Sequence, residues 1–210
     1  MFSLEKDVVK VLDANINHIF GEGRSVLEFS CGVGRPDIMF GRMVNNNDRE
    51  SIADYDSMLV LSTFCVRKGQ LVTADRIRES TNFSGKKIDE IIKLLSDHEY
   101  IKQSSTNKYV VTRRYEPPVQ DFISIEVKMK DWRQGYYQAV RYSSFSTKSY
   151  LAISSEYINN VDIEVLRKDG IGLISVGSST AKILVLAKKI KHNNKIAHYL
   201  STERFRGCLQ

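Results

Sequence analysis

Two acids and a lysine are the residues whose types and spacing could support phosphate chemistry. Glu126 and Lys128 stand in the stretch Ile125-Glu126-Val127-Lys128, which is typical of a strand. Side chains of a strand alternate between its faces, so the two charged groups share one face and Val127 points into the core. Asp37 opens an earlier candidate strand and could reach the same place. A charged pair on an otherwise apolar strand costs free energy unless water, a metal ion or a counter-charge meets it.

This set of groups has a clear chemical use. Two carboxylates can hold one or two hard divalent cations such as Mg²⁺ through oxygen. A metal ion polarises a phosphoryl oxygen and lowers the pKa of a bound water, and a nearby lysine stabilises the charge that develops. An isolated Glu-x-Lys is more often a solvated cross-strand ion pair. The catalytic interpretation therefore depends on Asp37 upstream and on Gln138 downstream.

The elements that would position these residues lie on both sides of a central insert. Before the insert, hydrophobic periodicity predicts a helix from Ser3, as N-cap, to about Phe20, and the next segments are short strands. After it, strands alternate with helices and a basic helical tail ends the chain. The strands are predicted at 25–29, 37–40, 122–127, 150–153, 171–176 and 183–186, and the later helices at 133–145 and 155–167.

The insert has a different pattern. A helix is predicted from near Asp54, a short helix follows a cap at Thr73, and a longer helix follows a cap at Ser84. Two strands around a polar turn come next, and Pro117-Pro118 closes the segment as a linker. Three helices followed by a hairpin resemble a winged helix-turn-helix domain. We therefore expect an insert at residues 50–116 within a core formed by residues 1–45 and 118–210.

The flanking motifs resemble the PD-(D/E)XK nuclease superfamily. The matching residues are Pro36-Asp37, then Glu126-Val127-Lys128, then Gln138 ahead of Tyr142, over residues 1 to about 42 and 120 to about 190. The long gap between Asp37 and Glu126 departs from a compact member, and the insert would explain it. The resemblance implies an α/β fold with a restriction-endonuclease-like mixed central sheet flanked by helices, interrupted by a small winged-helix domain.

The resemblance also implies roles for individual residues. Asp37 and Glu126 would bind Mg²⁺ or Mn²⁺, and Lys128 would act on the attacking water. Glu5, on the first helix, stands where the family often carries an additional acid, although an acid in a first helical turn also suits the macrodipole. Gln138 would support the site, although a glutamine on an exposed helix face needs no functional reason.

Composition limits the other interpretations. The chain has 210 residues, a net charge of +6 and a pI near 9.1, a moderate bias toward polyanionic partners. Cys31, Cys65 and Cys208 are scattered and odd in number, so neither a disulfide framework nor a zinc site is expected. No apolar run reaches the roughly 18 residues of a membrane span, and the start lacks a signal-peptide core, so we expect a soluble, cytoplasmic protein. There is no phosphate-binding GxxxxGK loop and no Gly-x-Ser-x-Gly elbow.

The leading interpretation is a divalent-metal-dependent DNA endonuclease of a restriction, defence or mobile-element type. A double-strand cutter needs two active sites, so a homodimer or a partner protein is expected. We expect Lys86, Lys87 and Lys108 of the insert to contact DNA phosphates, although winged helices also dock proteins. The alternative is a DNA-binding or assembly factor whose nuclease-like core has lost catalysis.

Overall fold

The computed structural model describes residues 2–44, 50–191 and 195–209, which divide into two compact units. The first unit is formed by Met1–Asn45 with Val119–Gln210, and the second by Asn46–Pro118. The architecture is mixed α/β, as the sequence predicts. No helix within the described ranges is long and apolar enough to cross a bilayer.

The first unit is built on a six-stranded mixed sheet with the order β1-β2-β6-β7-β8-β9. Strands β1, β2 and β6 are antiparallel, β6, β7 and β8 are parallel, and β9 is antiparallel to β8. The strands are β1 (Arg24–Leu27), β2 (Ile38–Met43), β6 (Val119–Lys128), β7 (Lys148–Ser154), β8 (Gly172–Val176) and β9 (Ala181–Val185). The helices of this unit are α1 (Glu5–Ala14), α2 (Ile16–Phe20), α6 (Trp132–Tyr142), α7 (Ile163–Asp169) and α8 (Lys195–Gly207), with a 3-10 helix at Ser155–Asn160.

Alternating side chains of the central strands bury both faces of this sheet. Ile125 and Val127 of β6 join a core that includes Val8 and Leu12 of α1. Leu151 of β7 points the other way, into a core with α6 and α7. Such continuous burial of a strand on two faces is typical of parallel strands covered by helices. Glu126 and Lys128 consequently lie on the α6 side of the sheet and are buried there.

Over its described residues, 50–118, the second unit contains three helices and a three-stranded antiparallel sheet with the order β3-β5-β4. Its elements are α3 (Tyr55–Phe64), β3 (Leu71–Thr73), α4 (Ala74–Thr81), α5 (Gly85–Asp97), β4 (Ile101–Ser105) and β5 (Lys108–Val111). The side chains of Asp54, Thr73 and Ser84 cap α3, α4 and α5 by accepting backbone N–H bonds. The predicted caps at Thr73 and Ser84 are therefore confirmed.

Two helix predictions are wrong in detail. Leu4 rather than Ser3 is the N-cap of α1, because the Asp7 carboxylate accepts the Leu4 N–H at 3.3 Å and the Ser3 hydroxyl turns toward Asp7 instead. The predicted helix to Phe20 also breaks at Asn15, whose side-chain amide donates to the Val11 carbonyl at 2.8 Å. Asparagine side chains commonly compete with the backbone in this way.

The predicted helix 155–167 is also divided, and the tail is more buried than its composition suggests. A 3-10 helix ends at Asn160, and α7 starts afresh because Asp162 accepts the backbone N–H groups of Glu164 and Val165. Within α8, Glu203 and Arg206 are almost fully buried. The basic C-terminal segment is thus part of the packed unit over the described residues of α8.

Candidate active site

Asp37 lies at the start of β2, beside the part of β6 that carries Glu126. Ile38 pairs with Ile125 across the antiparallel ladder, which brings the preceding Asp37 next to the Glu126–Val127 peptide. Its Oδ2 accepts the Val127 N–H at 2.7 Å. Burial raises the pKa of Asp37, against the lowering effects of this hydrogen bond and of the Lys128 charge. Asp37 is thus held by the backbone of the strand that supplies the other two groups.

Glu126 is 1% exposed and has a protein partner on each carboxylate oxygen. Its Oε1 is 2.7 Å from the Lys128 ammonium, and its Oε2 is 3.0 Å from the Tyr142 hydroxyl. Burial raises the pKa of Glu126, and the negative charge of Asp37 raises it further. The hydrogen bonds from Lys128 and Tyr142 lower it again, but only in part. The carboxylate is therefore held in one orientation and depends on Lys128 for its counter-charge.

Lys128 bridges acids from two different elements. Its side chain is 10% exposed, and its ammonium lies 2.7 Å from Glu126 and 3.3 Å from Glu5 Oε1. Burial by itself would lower the pKa of Lys128. The hydrogen bond to Glu126 and the charges of Glu126, Glu5 and Asp37 outweigh burial and raise that pKa. Lys128 is consequently a cation throughout the physiological pH range.

Glu5 reaches the site from the first turn of α1, on the opposite side of the sheet from α6. Its Oε2 accepts the Met129 N–H at 3.3 Å, just beyond the end of β6. The side chain is 44% exposed, much more than that of Glu126. The Glu5 and Glu126 oxygens are at most 6.0 Å apart, because their distances to the Lys128 nitrogen, 3.3 and 2.7 Å, add to that value. Glu5 therefore belongs to the same cluster, at its solvent-facing side.

Helix α6 covers this cluster, and of its residues the sequence predicted a role only for Gln138. Gln138 donates a side-chain hydrogen bond to the Tyr142 hydroxyl, and its Oε1 is a buried atom without a hydrogen-bond partner among the described residues. The Tyr142 hydroxyl also lies 3.1 Å from the Arg35 carbonyl. Tyr142 thus links Gln138, Glu126 and the turn before Asp37. The family resemblance includes Tyr142 but implies no role for it.

Sequence reasoning missed Gly135, which sets how closely α6 approaches the site. A Cβ at this position would lie 2.5 Å from Leu151 Cδ1 and 2.8 Å from Lys128 Cγ. Only a residue without a side chain allows this contact. A glycine at a helical position otherwise costs about 1 kcal/mol relative to alanine, so its presence inside α6 was the available signal.

A cleft of about 550 Å³ opens beside the cluster. Glu5 and Asp37 lie on its walls, together with Glu28, which directly follows β1. Glu28 is exposed and forms an ion pair with Arg35. The remaining lining residues are Lys6, Val9, Lys10 and Leu27.

The donor set has the chemistry that a hard cation requires, since all three acids supply carboxylate oxygens. As they stand, however, no three His, Cys, Asp or Glu residues within the described ranges are grouped closely enough to hold a metal ion. The oxygens of Glu126 are also occupied by Lys128 and Tyr142. A cation bound by Glu126 Oε1 would compete with the Lys128 ammonium for that oxygen.

The three lysines predicted to contact DNA lie in the second unit. Lys86 and Lys108 are exposed, on the first turn of α5 and at the start of β5. Lys87 is half-buried and pairs with Asp56 at 3.0 Å and with Asp54 at 3.9 Å. The hydrogen bond to Asp56 raises the pKa of Lys87. A phosphate at Lys87 would therefore compete with two internal acids.

Comparison with known proteins adds no relative. No protein-family model, no curated protein and no solved structure matches this chain. Any functional conclusion therefore depends on the residues and contacts described above.

Proposed function

We propose that this protein is a divalent-metal-dependent endonuclease of the PD-(D/E)XK type that hydrolyses DNA phosphodiester bonds. The observation that carries the proposal is the convergence of Asp37, Glu126, Lys128 and Glu5 from three separate elements at one end of the sheet. Glu5, Asp37 and the Glu126–Lys128 pair are far apart in sequence. Their meeting at a cleft, with two acids of raised pKa, is typical of a functional site.

Asp37 and Glu126 are the residues that would hold Mg²⁺, or Mn²⁺ in its place. The bound cation supplies Lewis-acid polarisation of the scissile phosphate and a water of lowered pKa. Lys128 keeps its proton and stabilises the negative charge that accumulates on the phosphate oxygens in the transition state. Each of the three residues is thus assigned by the charge it carries.

Glu5 and Gln138 would act around these three. The exposed carboxylate of Glu5 is free to turn toward a second cation or toward water, since it is tied only by long contacts of 3.3 Å. Gln138 holds the Tyr142 hydroxyl, which in turn orients Glu126. We therefore regard Gln138 as a positioning residue rather than a group that touches the phosphate.

The second unit would position the DNA. Its element order, with three helices and a β3-β5-β4 sheet, supports a winged helix-turn-helix assignment. Lys86 on α5 and Lys108 at the β4–β5 turn are exposed cations suited to phosphate contacts. A homodimer, or a partner protein, would provide the second active site needed to cut both strands.

Plasmid, linear and single-stranded DNA incubated with Mg²⁺, Mn²⁺ or EDTA would test the proposal. We expect cleavage with either metal and none with EDTA. Asp37→Asn keeps an acceptor for the Val127 N–H but removes the negative charge, so it should abolish cleavage while preserving the fold. Glu164→Ala, at an exposed acid of α7, is the matched control. Undiminished cleavage by Asp37→Asn would refute the assignment.

A second candidate function is a DNA-binding or assembly factor that does not cut. It is favoured by the observation that both oxygens of Glu126 already have protein partners, so this carboxylate is satisfied without a cation. In that case neither metal would support cleavage, although DNA binding would persist in EDTA. Calorimetric titration with Mg²⁺ also separates the two functions. The nuclease must bind Mg²⁺ and must lose that binding in Asp37→Asn, whereas the assembly factor needs no Mg²⁺ binding.

A further inference from the structure

One end of the cleft adjoins the candidate catalytic residues, and basic side chains line it further along. Glu5 and Asp37 lie at the end that adjoins Lys128. From there the cleft follows the first two turns of α1, where Lys6 and Lys10 line it. The facing wall is the end of the edge strand β1, with Leu27 and Glu28.

The acids near this cleft are already engaged, whereas its lysines are not. On α1, Asp7 accepts the Leu4 N–H and Asp13 accepts the Ser25 hydroxyl at 2.7 Å. Neither Lys6 nor Lys10 has an ion-pair partner in the described part of the chain, and both are exposed. The two lysines are therefore available to an external anion.

The glutamates that line the cleft, Glu28 and Glu5, also have protein partners. Glu28 pairs with Arg35, which also donates from its Nε to the Glu28 carbonyl at 3.1 Å. Glu5 is within 3.3 Å of Lys128. Beyond the catalytic end, the cleft thus presents positive charge from Lys6 and Lys10.

Spacing and surface type identify a ligand that fits this cleft. Lys6 and Lys10 are separated by four residues, or about 6 Å along a helix axis. Successive phosphates of one B-form strand rise about 3.4 Å each, so two steps cover about the same length. Leu27 is 48% exposed and faces the cleft together with the partly buried Val9. Such a wall suits the sugar carbons of a nucleotide chain.

We propose that one strand of the DNA substrate lies in this cleft, with Lys6 and Lys10 binding phosphates within about two nucleotides of the scissile one. The inference rests on the proposed nuclease function and adds the path of the substrate strand. The strand passes along the first two turns of α1 and enters the catalytic end between Glu5 and Asp37. Leu27 and Val9 contact its sugars.

The test is binding of a short fluorescein-labelled single-stranded DNA to the full chain in EDTA, followed by anisotropy across a salt series. Each phosphate contact on a single strand contributes about 0.7 to the salt slope, so Lys6→Ala/Lys10→Ala should lower the slope by about 1.4 and weaken binding roughly 25-fold at 0.1 M salt. Lys6→Arg/Lys10→Arg should retain both values. Lys168→Ala, an exposed lysine on α7 across the sheet, is the matched control and should bind like the wild type.

The outcomes separate this inference from the proposed function. If the wild type cleaves DNA but the double alanine variant keeps its salt slope, the strand path is wrong and the nuclease function stands. An equal loss in Lys168→Ala would also overturn the path, since the effect would then be one of overall charge. An RNA oligonucleotide of the same sequence is measured in parallel, and lysine-dependent binding of that RNA but not of the DNA would overturn the choice of DNA. A wild type that neither binds nor cuts any of these nucleic acids would overturn both conclusions.

Discussion

Replacing Gly135 with alanine tests the close packing of α6 on the candidate site. The new Cβ would meet Leu151 Cδ1 at 2.5 Å and Lys128 Cγ at 2.8 Å. Leu151 is fully buried and belongs to the core, so it cannot move aside cheaply. Overpacking of this kind costs about 1–3 kcal/mol, and severe contact with two buried side chains favours the upper part of that range.

The opposing effect is the helix propensity of alanine. In an uncrowded helix, alanine would stabilise the protein by about 1 kcal/mol relative to glycine. The net prediction for Gly135→Ala is therefore a loss of roughly 1–2 kcal/mol in the free energy of unfolding. The sign of the change distinguishes crowded from open packing.

Urea unfolding of the wild type and of Gly135→Ala measures this change, with cleavage assayed in parallel. Because the Lys128 side chain is one of the two groups that must move, we expect the cleavage rate to fall as well. Leu151→Val removes the nearer clashing atom, so the cost of Gly135→Ala should be smaller in that background. An alanine variant as stable as the wild type, or more stable, would refute the close approach.

Three further predictions concern the ionic cluster. Tyr142→Phe removes the hydroxyl that contacts Glu126, so the free energy of unfolding should fall by about 1–2 kcal/mol and cleavage should slow. Tyr137→Phe, at a 69% exposed position, is the control and should change neither quantity. Lys128→Met leaves the buried Glu126 without its counter-charge and should destabilise the chain by about 3 kcal/mol at neutral pH. In this variant the folded-state pKa of Glu126 lies further above its unfolded-state pKa, so the free energy of unfolding should fall as the pH rises from the unfolded-state value to the folded-state value. Urea titrations of the wild type and the variant near pH 5 and pH 8 measure this change. A destabilisation of equal size at the two pH values would contradict the prediction. Because burial raises the pKa values of Asp37 and Glu126, protons should compete with Mg²⁺ up to a higher pH than at ordinary carboxylates, and calorimetry in buffers of different ionisation enthalpy should detect proton release on binding.

The sequence predicts those elements whose signals are local. Strand β6 alternates apolar and polar residues from Ile123 to Lys128, and Thr73 and Ser84 cap helices because their side chains reach a backbone N–H three residues away. Strand β3 was missed because it is only three residues long, Leu71–Thr73, and exists through its pairing with β5. A strand of that length has no periodicity of its own to detect.

The parts of the site that sequence reasoning missed depend on contacts between distant residues. A glycine inside a helix marks position 135 as unusual, but no pattern around it identifies Leu151 and Lys128 as the side chains that it contacts. The Lys6–Lys10 wall becomes a cleft only when α1 lies near the end of β1. The basic composition of α8 predicted a helical tail but not the burial of Arg206, since charge composition does not determine which side of a helix packs.

The junction between the two units permits a test of how their functions divide. Strand β2 ends at Met43 and β6 begins at Val119, and these two residues are partners in the antiparallel ladder. Paired residues at this position have Cα atoms about 5 Å apart, a distance that a two-residue hairpin turn spans. Replacing residues 44–118 with Asn-Gly, which favours the type I′ turn, should therefore join the two strands without strain.

We expect the shortened chain to unfold cooperatively and to retain metal-dependent cleavage, because Glu5, Asp37, Glu126 and Lys128 all lie in the first unit. Its DNA affinity and salt slope should both decrease, since the cations of the insert are gone. Asp37→Asn in the same shortened chain is the control for contaminating nuclease. Absence of a cooperative transition would show that the first unit needs the insert to fold. Unchanged affinity with full cleavage would instead refute a DNA-positioning role for the insert and would favour the alternative that it docks a protein partner.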